Sequence, residues 1–427
     1  MFRNTFARSR FSSVFAVALL ALVGCNDKDT LPPIDDHDHD HVETAGRLVV
    51  GQASPATAHV IDLDDGRTLR SLTLDFAASA IYASPDHRYA VLLQRTSDQV
   101  QFVDGGLWQE DHGDHLHDYA EDPLLLALKL QGARPTHYEV HDTLAALFHD
   151  GNAATAQNAG VAVFSDASLG SAATEATLDL PIAMHGTAEP RGDFLLTTHR
   201  EAGTESTLPS AVDLYRRNVA GYDFVERIAE PCPGLHGSYS NDDYTLFGCT
   251  DGVLVVEQNG ETFTASKIAN VAGMAAGARI GTVVGHHDLE GFGGFAGNDL
   301  YAIDPSAGSM RRIDWAAGAA VTKIAHAMDA EGERFLILDS VGALRVLDPA
   351  NGWASLGSLP VISSLNEGQA PVITLSHAED FAFVTDPADR SIAVIDLETL
   401  SERERLRFDF APSAVTWLGI AEEHAAH

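Results

Sequence analysis

Ten residues at 110–119, Glu-Asp-His-Gly-Asp-His-Leu-His-Asp-Tyr, gather His112, His115 and His117 with four acids, Asp114 among them. Burying that many unpartnered polar groups costs roughly several kcal/mol each, so the run is expected to be a surface loop. Imidazole nitrogen and carboxylate oxygen are the donors of a borderline ion such as zinc, although copper and nickel accept the same set. A second run, His37-Asp-His-Asp-His41, sets His37, His39 and His41 at alternate positions. On a flexible segment such a run can wrap an ion, with affinity limited by the entropy of ordering it. A third set is dispersed: His137 in Pro-Thr-His-Tyr, His185 in Met-His-Gly-Thr and His236 in Leu-His-Gly-Ser.

The elements that position these residues are short and repeated. From Arg47 onward, apolar β-rich runs alternate with turn residues, and no helical period is sustained. One unit recurs, with an apolar second strand and a third strand ending in Asp, as in Tyr-Ala-Val-Leu-Leu at 89–93 followed by Gln-Val-Gln-Phe-Val-Asp at 99–104. Second strands are expected near Leu48, Tyr89, Leu144, Phe194, Tyr244, Phe292, Phe335 and Phe381. Their spacing is that of propeller blades. The expected fold is therefore all-β, a single β-propeller of eight blades, with seven as the fallback because the Phe292 unit is irregular. The run at 413–419 reads as an inner strand without a blade, and the first unit lacks one. The C-terminal strand should complete the first blade and close the ring.

This register places the histidines. His137, His185 and His236 fall at the start of the innermost strands of consecutive blades, where their side chains can converge on one rim of the channel; His326 occupies a comparable position. A lone histidine there is more often structural, but recurrence in neighbouring blades favours a site. Gly186 and Gly237, which follow two of them, would allow close approach of backbone or ligand. The 110–119 run falls between the third and fourth strands of the second blade, on the opposite face, where His87, His141 and Asp142 should join it.

The N-terminus reads as an export signal at 1–24, with Arg3, Arg8 and Arg10 before the apolar run 14–23. Leu-Val-Gly-Cys at 22–25 resembles a lipoprotein cleavage box, making Cys25 the expected lipidation site. Residues 25–45 read as a disordered His/Asp-rich tether, 46–420 as the propeller and 421–427 as a tail. A net charge of −34 argues against nucleic-acid binding. The remaining cysteines, Cys232 and Cys249, form an even pair in an oxidising compartment, which favours a disulfide over two zinc ligands. Strand register puts them side by side, where a disulfide would pin the segment carrying His236.

Several motifs taken in order carry a resemblance: Asp-Gly-Gly-Leu-Trp at 104–108, the 110–117 run, Gly-Ala-Arg-Pro-Thr-His-Tyr-Glu-Val-His at 132–141, Met-His-Gly-Thr at 184–187, Pro-Cys-Pro-Gly-Leu-His-Gly-Ser at 231–238 and Phe-Gly-Cys-Thr-Asp-Gly at 247–252. Together they resemble the AztD family of periplasmic zinc metallochaperones, over nearly all of 47–419. The resemblance implies a β-propeller that binds zinc and delivers it to the periplasmic zinc-binding protein of an ABC-type importer. It also matches residues 35–41 to the family's His/Asp-rich N-terminal segment. A lipid anchor at Cys25 departs from the soluble family pattern and would restrict where transfer occurs. The expected protein is a monomer of the periplasm, tethered to the cell envelope, and not an enzyme. Two alternatives stand beside it: a zinc-dependent hydrolase or lactonase with Glu139 as base, and an interaction propeller without metal. No Gly-x-Ser-x-Gly elbow is present, and the Gly-rich run 291–297 lacks the strand-to-helix context of a dinucleotide loop.

Overall fold

The second strand of most blades is apolar at nearly every position because it is covered on both faces by neighbouring sheets. Tyr89–Gln94 is buried at all six residues. Outer strands alternate instead, as Leu124–Gln131 does, since one face meets solvent. In the computed structural model, which describes residues 42–421 apart from 114, 115, 205, 276 and 367, these runs assemble into eight four-stranded antiparallel sheets. The innermost strands neighbour one another in turn around a ring. The second strands are Arg47–Gln52, Tyr89–Gln94, Leu144–His149, Phe194–His199, Tyr244–Cys249, Phe292–Ala296, Phe335–Asp339 and Phe381–Asp386, so all eight expected units are present. The irregular sixth unit is a full blade. Its Gly293 lies under the Trp353 ring of the next blade, where a Cβ would come within 2.5 Å of the indole. That close packing accounts for the glycine at 293.

The ring closes as expected. Pro412–Leu418 pairs with Arg47–Gln52, setting Leu48 opposite Trp417 and Val50 opposite Val415. Trp417 is 1% exposed, and its indole N–H donates to the Ala45 carbonyl at 2.9 Å. Gly46, with φ of +91°, lies against that indole at a distance no side chain would permit.

Three placements differ from expectation. The 110–119 run does leave the second blade between Gln99–Asp104 and Leu124–Gln131, but it is mostly a hairpin rather than a loop. Leu107–Asp111 pairs with Leu116–Ala120, which satisfies the backbone while leaving Glu110, Asp111 and His112 in solvent. Its base is held by Trp108 stacked on Tyr119 at 4.8 Å, with the Arg88 guanidinium 3.7 Å above the indole. His87, expected to turn toward this hairpin, instead packs against the tilted His377 ring, centroids 3.9 Å apart, beside Trp417. His326, expected at the rim, packs between Phe335 of its own blade and Phe295 of the preceding one.

Burial holds His87 down to about 4, and burial, then Lys323, holds His326 to about 3. Between the ordinary histidine value and these values the unfolded chain takes up protons that the folded chain refuses, so stability falls as pH drops through that window. His326→Phe should flatten this slope in urea midpoints measured from neutral pH down to pH ~4.5, since it removes one such group; an unchanged slope would contradict the assignment. Trp417→Ala should cost about 3–5 kcal/mol in the same denaturation experiment, because the indole fills the closing seam.

Candidate metal centre

Three adjacent inner strands build the centre. His137 lies within Pro135–His141, while His185 and His236 immediately precede Ala188–Arg191 and Ser238–Ser240. Their ring centroids are 5.0, 5.4 and 4.9 Å apart, and one ligand atom from each lies within 4.8 Å of the others. The convergence expected at the rim is therefore present for these three.

The orientation of two rings is fixed from behind. His185 Nδ1 donates to Asp150 Oδ2 at 2.9 Å, and Arg95 holds the same carboxylate at 2.9 Å. His236 Nδ1 donates to the Gly281 carbonyl at 2.7 Å. Gly237, with φ of +74°, makes this last bond accessible: a Cβ there would meet that carbonyl oxygen at 2.7 Å. Both rings thus carry their proton on Nδ1, and their Nε2 lone pairs face each other at 3.1 Å. Two lone pairs so placed repel unless a cation or proton lies between them. Two nitrogens bound to one tetrahedral zinc stand about 3.3 Å apart, close to the separation seen.

The electrostatics suit a neutral donor set. Burial, then the neighbouring His185 and His236, pushes His137 down to about 4. Burial also lowers His236, against the opposing effect of its bond to Gly281. Burial raises Asp150, but the hydrogen bonds from His185 and Arg95 outweigh it and hold the carboxyl below its usual range. An ionised carboxylate behind a ligand imidazole orients it and raises its basicity. Asp150 was missed by sequence reasoning; only its place at the end of a second strand, beside the rim, could have flagged it.

The disulfide is formed: Cys232 and Cys249 are joined at 2.03 Å, both fully buried. It ties Cys-Pro-Gly-Leu-His at 232–236 to the second strand of its blade, and so restrains His236.

Among the described residues, the other expected ligands do not join one site. On the hairpin, the His112 and His117 rings are 5.9 Å apart, with Tyr119 beside both. Asp114, His115, His37, His39, His41 and Cys25 lie outside the described residues. His141 turns away from the hairpin, to within 2.8 Å of the Arg191 guanidinium and 3.2 Å of the Asn241 carbonyl. Asp142 and Asp242 come near it, but the guanidinium already occupies the place a cation would take. A further group, His286, His287 and Asp288, is tied on one side by the bond between His286 Nε2 and the Ala330 carbonyl at 2.8 Å. Glu139, the base required by a hydrolytic reading, turns to Thr187 and Glu189.

No family model matches the chain. A relative named zinc chaperone AztD, from Citrobacter koseri, is 23% identical and aligned over all of this chain and 98% of its own. Two crystal structures of Citrobacter koseri AztD, one of them the apo form, superpose with a TM-score of 0.75 at 19% and 20% identity, covering 88% of this chain and 99% of theirs. The dihydro-heme d1 dehydrogenase NirN matches more loosely, with a TM-score of 0.58, 13% identity and coverage of 88% of this chain and 75% of its own. These likenesses bear out the eight-bladed propeller.

Proposed function

We propose that this chain is a zinc-binding metallochaperone of the bacterial cell envelope. In this reading it loads one zinc on His137, His185 and His236 and passes it to the periplasmic solute-binding protein of an ABC-type zinc importer. The observation that carries the reading is the pair of opposed Nε2 atoms of His185 and His236, each ring fixed from behind on Nδ1. The full-length similarity to a protein named zinc chaperone supports it. Export through the 1–24 signal and tethering at Cys25 belong to the same reading, as does a collecting role for His37, His39, His41 and the hairpin residues His112, Asp114, His115 and His117.

Three imidazoles leave one position of a tetrahedral ion for a fourth ligand. An acceptor's donor atom can enter there before any of the three histidines leaves. Transfer then proceeds by stepwise ligand exchange, without free zinc at any stage. Ligand imidazoles must be neutral, so affinity falls as pH drops through the histidine range.

Asp150→Asn should weaken zinc binding by about 10–100-fold in a competition titration, and alanine at His137, His185 or His236 should weaken it more. Undiminished affinity in all of these variants would remove the centre from consideration. Zinc should also move from the loaded chain to an apo solute-binding protein in the presence of excess chelator. Interception of the zinc by the chelator would identify a store rather than a chaperone.

A further inference from the structure

The channel has a second mouth. The triad stands at or near the start of three inner strands, and the turns that follow inner strands open on the opposite face. In the sixth blade that turn, residues 285–291, joins Thr282–Val284 to Phe292–Ala296 and carries His286, His287 and Asp288 in succession. The Leu289 amide donates to the His286 carbonyl at 3.2 Å, which folds residues 286–289 back on themselves. One ligand atom from each of His286, His287 and Asp288 then lies within 4.8 Å of the others. Asp288 Oδ2 is 3.2 Å from His287 Nε2 and 3.7 Å from His286 Nδ1. Donors on one tetrahedral zinc stand about 3.3 Å apart, so this oxygen is already near the spacing it would have beside either imidazole on an ion.

Neighbouring blades hold this arrangement. From the seventh blade, the Ala330 carbonyl accepts the His286 Nε2 proton at 2.8 Å, which leaves Nδ1 unprotonated in the neutral ring, on the side of Asp288. The Asp288 amide reaches that nitrogen at 3.3 Å, a long bond that a cation would replace. Gly332, with φ of +70°, lets the same turn close on the ring: a Cβ there would lie 2.7 Å from His286 Cγ. From the fifth blade, Asn241 Nδ2 donates to the Leu289 carbonyl at 2.7 Å. His286 is accordingly 8% exposed, while the His287 and Asp288 side chains are 62% and 66% exposed and open to an arriving ion. The local charge favours a cation. Among the described residues no lysine or arginine pairs with Asp288, in contrast to the group of His141, Asp142 and Asp242, where the Arg191 guanidinium stands.

We propose that His286 Nδ1, His287 Nε2 and Asp288 Oδ2 form a second site for a borderline divalent cation such as zinc, at the mouth of the channel opposite the histidine triad. Two imidazoles and one carboxylate suit such an ion, with water completing its coordination. The Ala330 carbonyl behind His286 orients that ring and raises its basicity. Two of the three ligands must be ordered from solvent, so binding is weaker than at the triad, where all three rings are partly buried. The site does not depend on the transfer activity proposed above.

The test uses the purified full chain, metal-free and then equilibrated with zinc at a concentration that saturates the wild type. A double variant, His287→Ala with Asp288→Ala, changes only exposed side chains, and circular dichroism verifies that it is folded. It should bind one zinc fewer than the wild type at saturation and keep the first, tight zinc unchanged. Zinc-edge anomalous diffraction from wild-type crystals soaked in excess zinc should show a peak bonded to all three residues. The same peak should persist in His236→Ala, which loses the tight zinc. Wild-type stoichiometry in the folded double variant, or soaked crystals with no peak at these residues, would overturn the proposal. Loss of the tight zinc in His236→Ala bears on the triad alone, so the two readings fail separately.

Discussion

Everything at the rim depends on the pairing of Arg47–Gln52 with Pro412–Leu418. An open stack of eight sheets would leave two unpaired inner edges and freedom for the blades to splay. Closing the ring at Trp417 fixes the angle between consecutive blades. Only then do residues 137, 185 and 236, separated by about fifty positions each, meet within bonding distance of one ion. The long-range order of the fold is thus spent on a single geometric result, the convergence of three inner strands.

The second level of control lies behind the imidazoles. A histidine that can choose its tautomer can turn its lone pair away from an ion. Asp150 and the Gly281 carbonyl remove that choice for His185 and His236, and Arg95 keeps Asp150 ionised. His137 is held neutral by burial and by its two neighbours. The result is a preorganised donor set in a strongly acidic protein. Long-range attraction concentrates cations near the surface, while the short-range chemistry at the rim selects among them.

The blade register was legible because most second strands are largely apolar and bounded by turns, a pattern that two-sided burial imposes. The closing strand was legible for a related reason: residues 413–419 form an inner strand with no blade, and the first unit had a vacancy for it. The triad could be read from its recurrence at one blade position. Donors are densest in sequence at 110–119, yet density along the chain does not bring lone pairs together in space. Among the described residues, His112 and His117 lie on a hairpin beside aromatic rings, whereas three isolated histidines form the tighter group. His141 was misjudged because its environment is set by Arg191 and Asn241, which arrive from the next two blades. Asp150 carries no motif; its role exists only through contacts between blades, with His185 and Arg95.

The central claim is that His137, His185 and His236 together hold the tightly bound ion. Zinc-edge anomalous diffraction from crystals carrying one equivalent of zinc tests it most directly. A single strong peak is expected, bonded to one nitrogen of each of the three imidazoles at about 2.0–2.1 Å, with a fourth position taken by solvent or another light donor. A peak on the hairpin, or at any place that leaves the triad without metal, would contradict it.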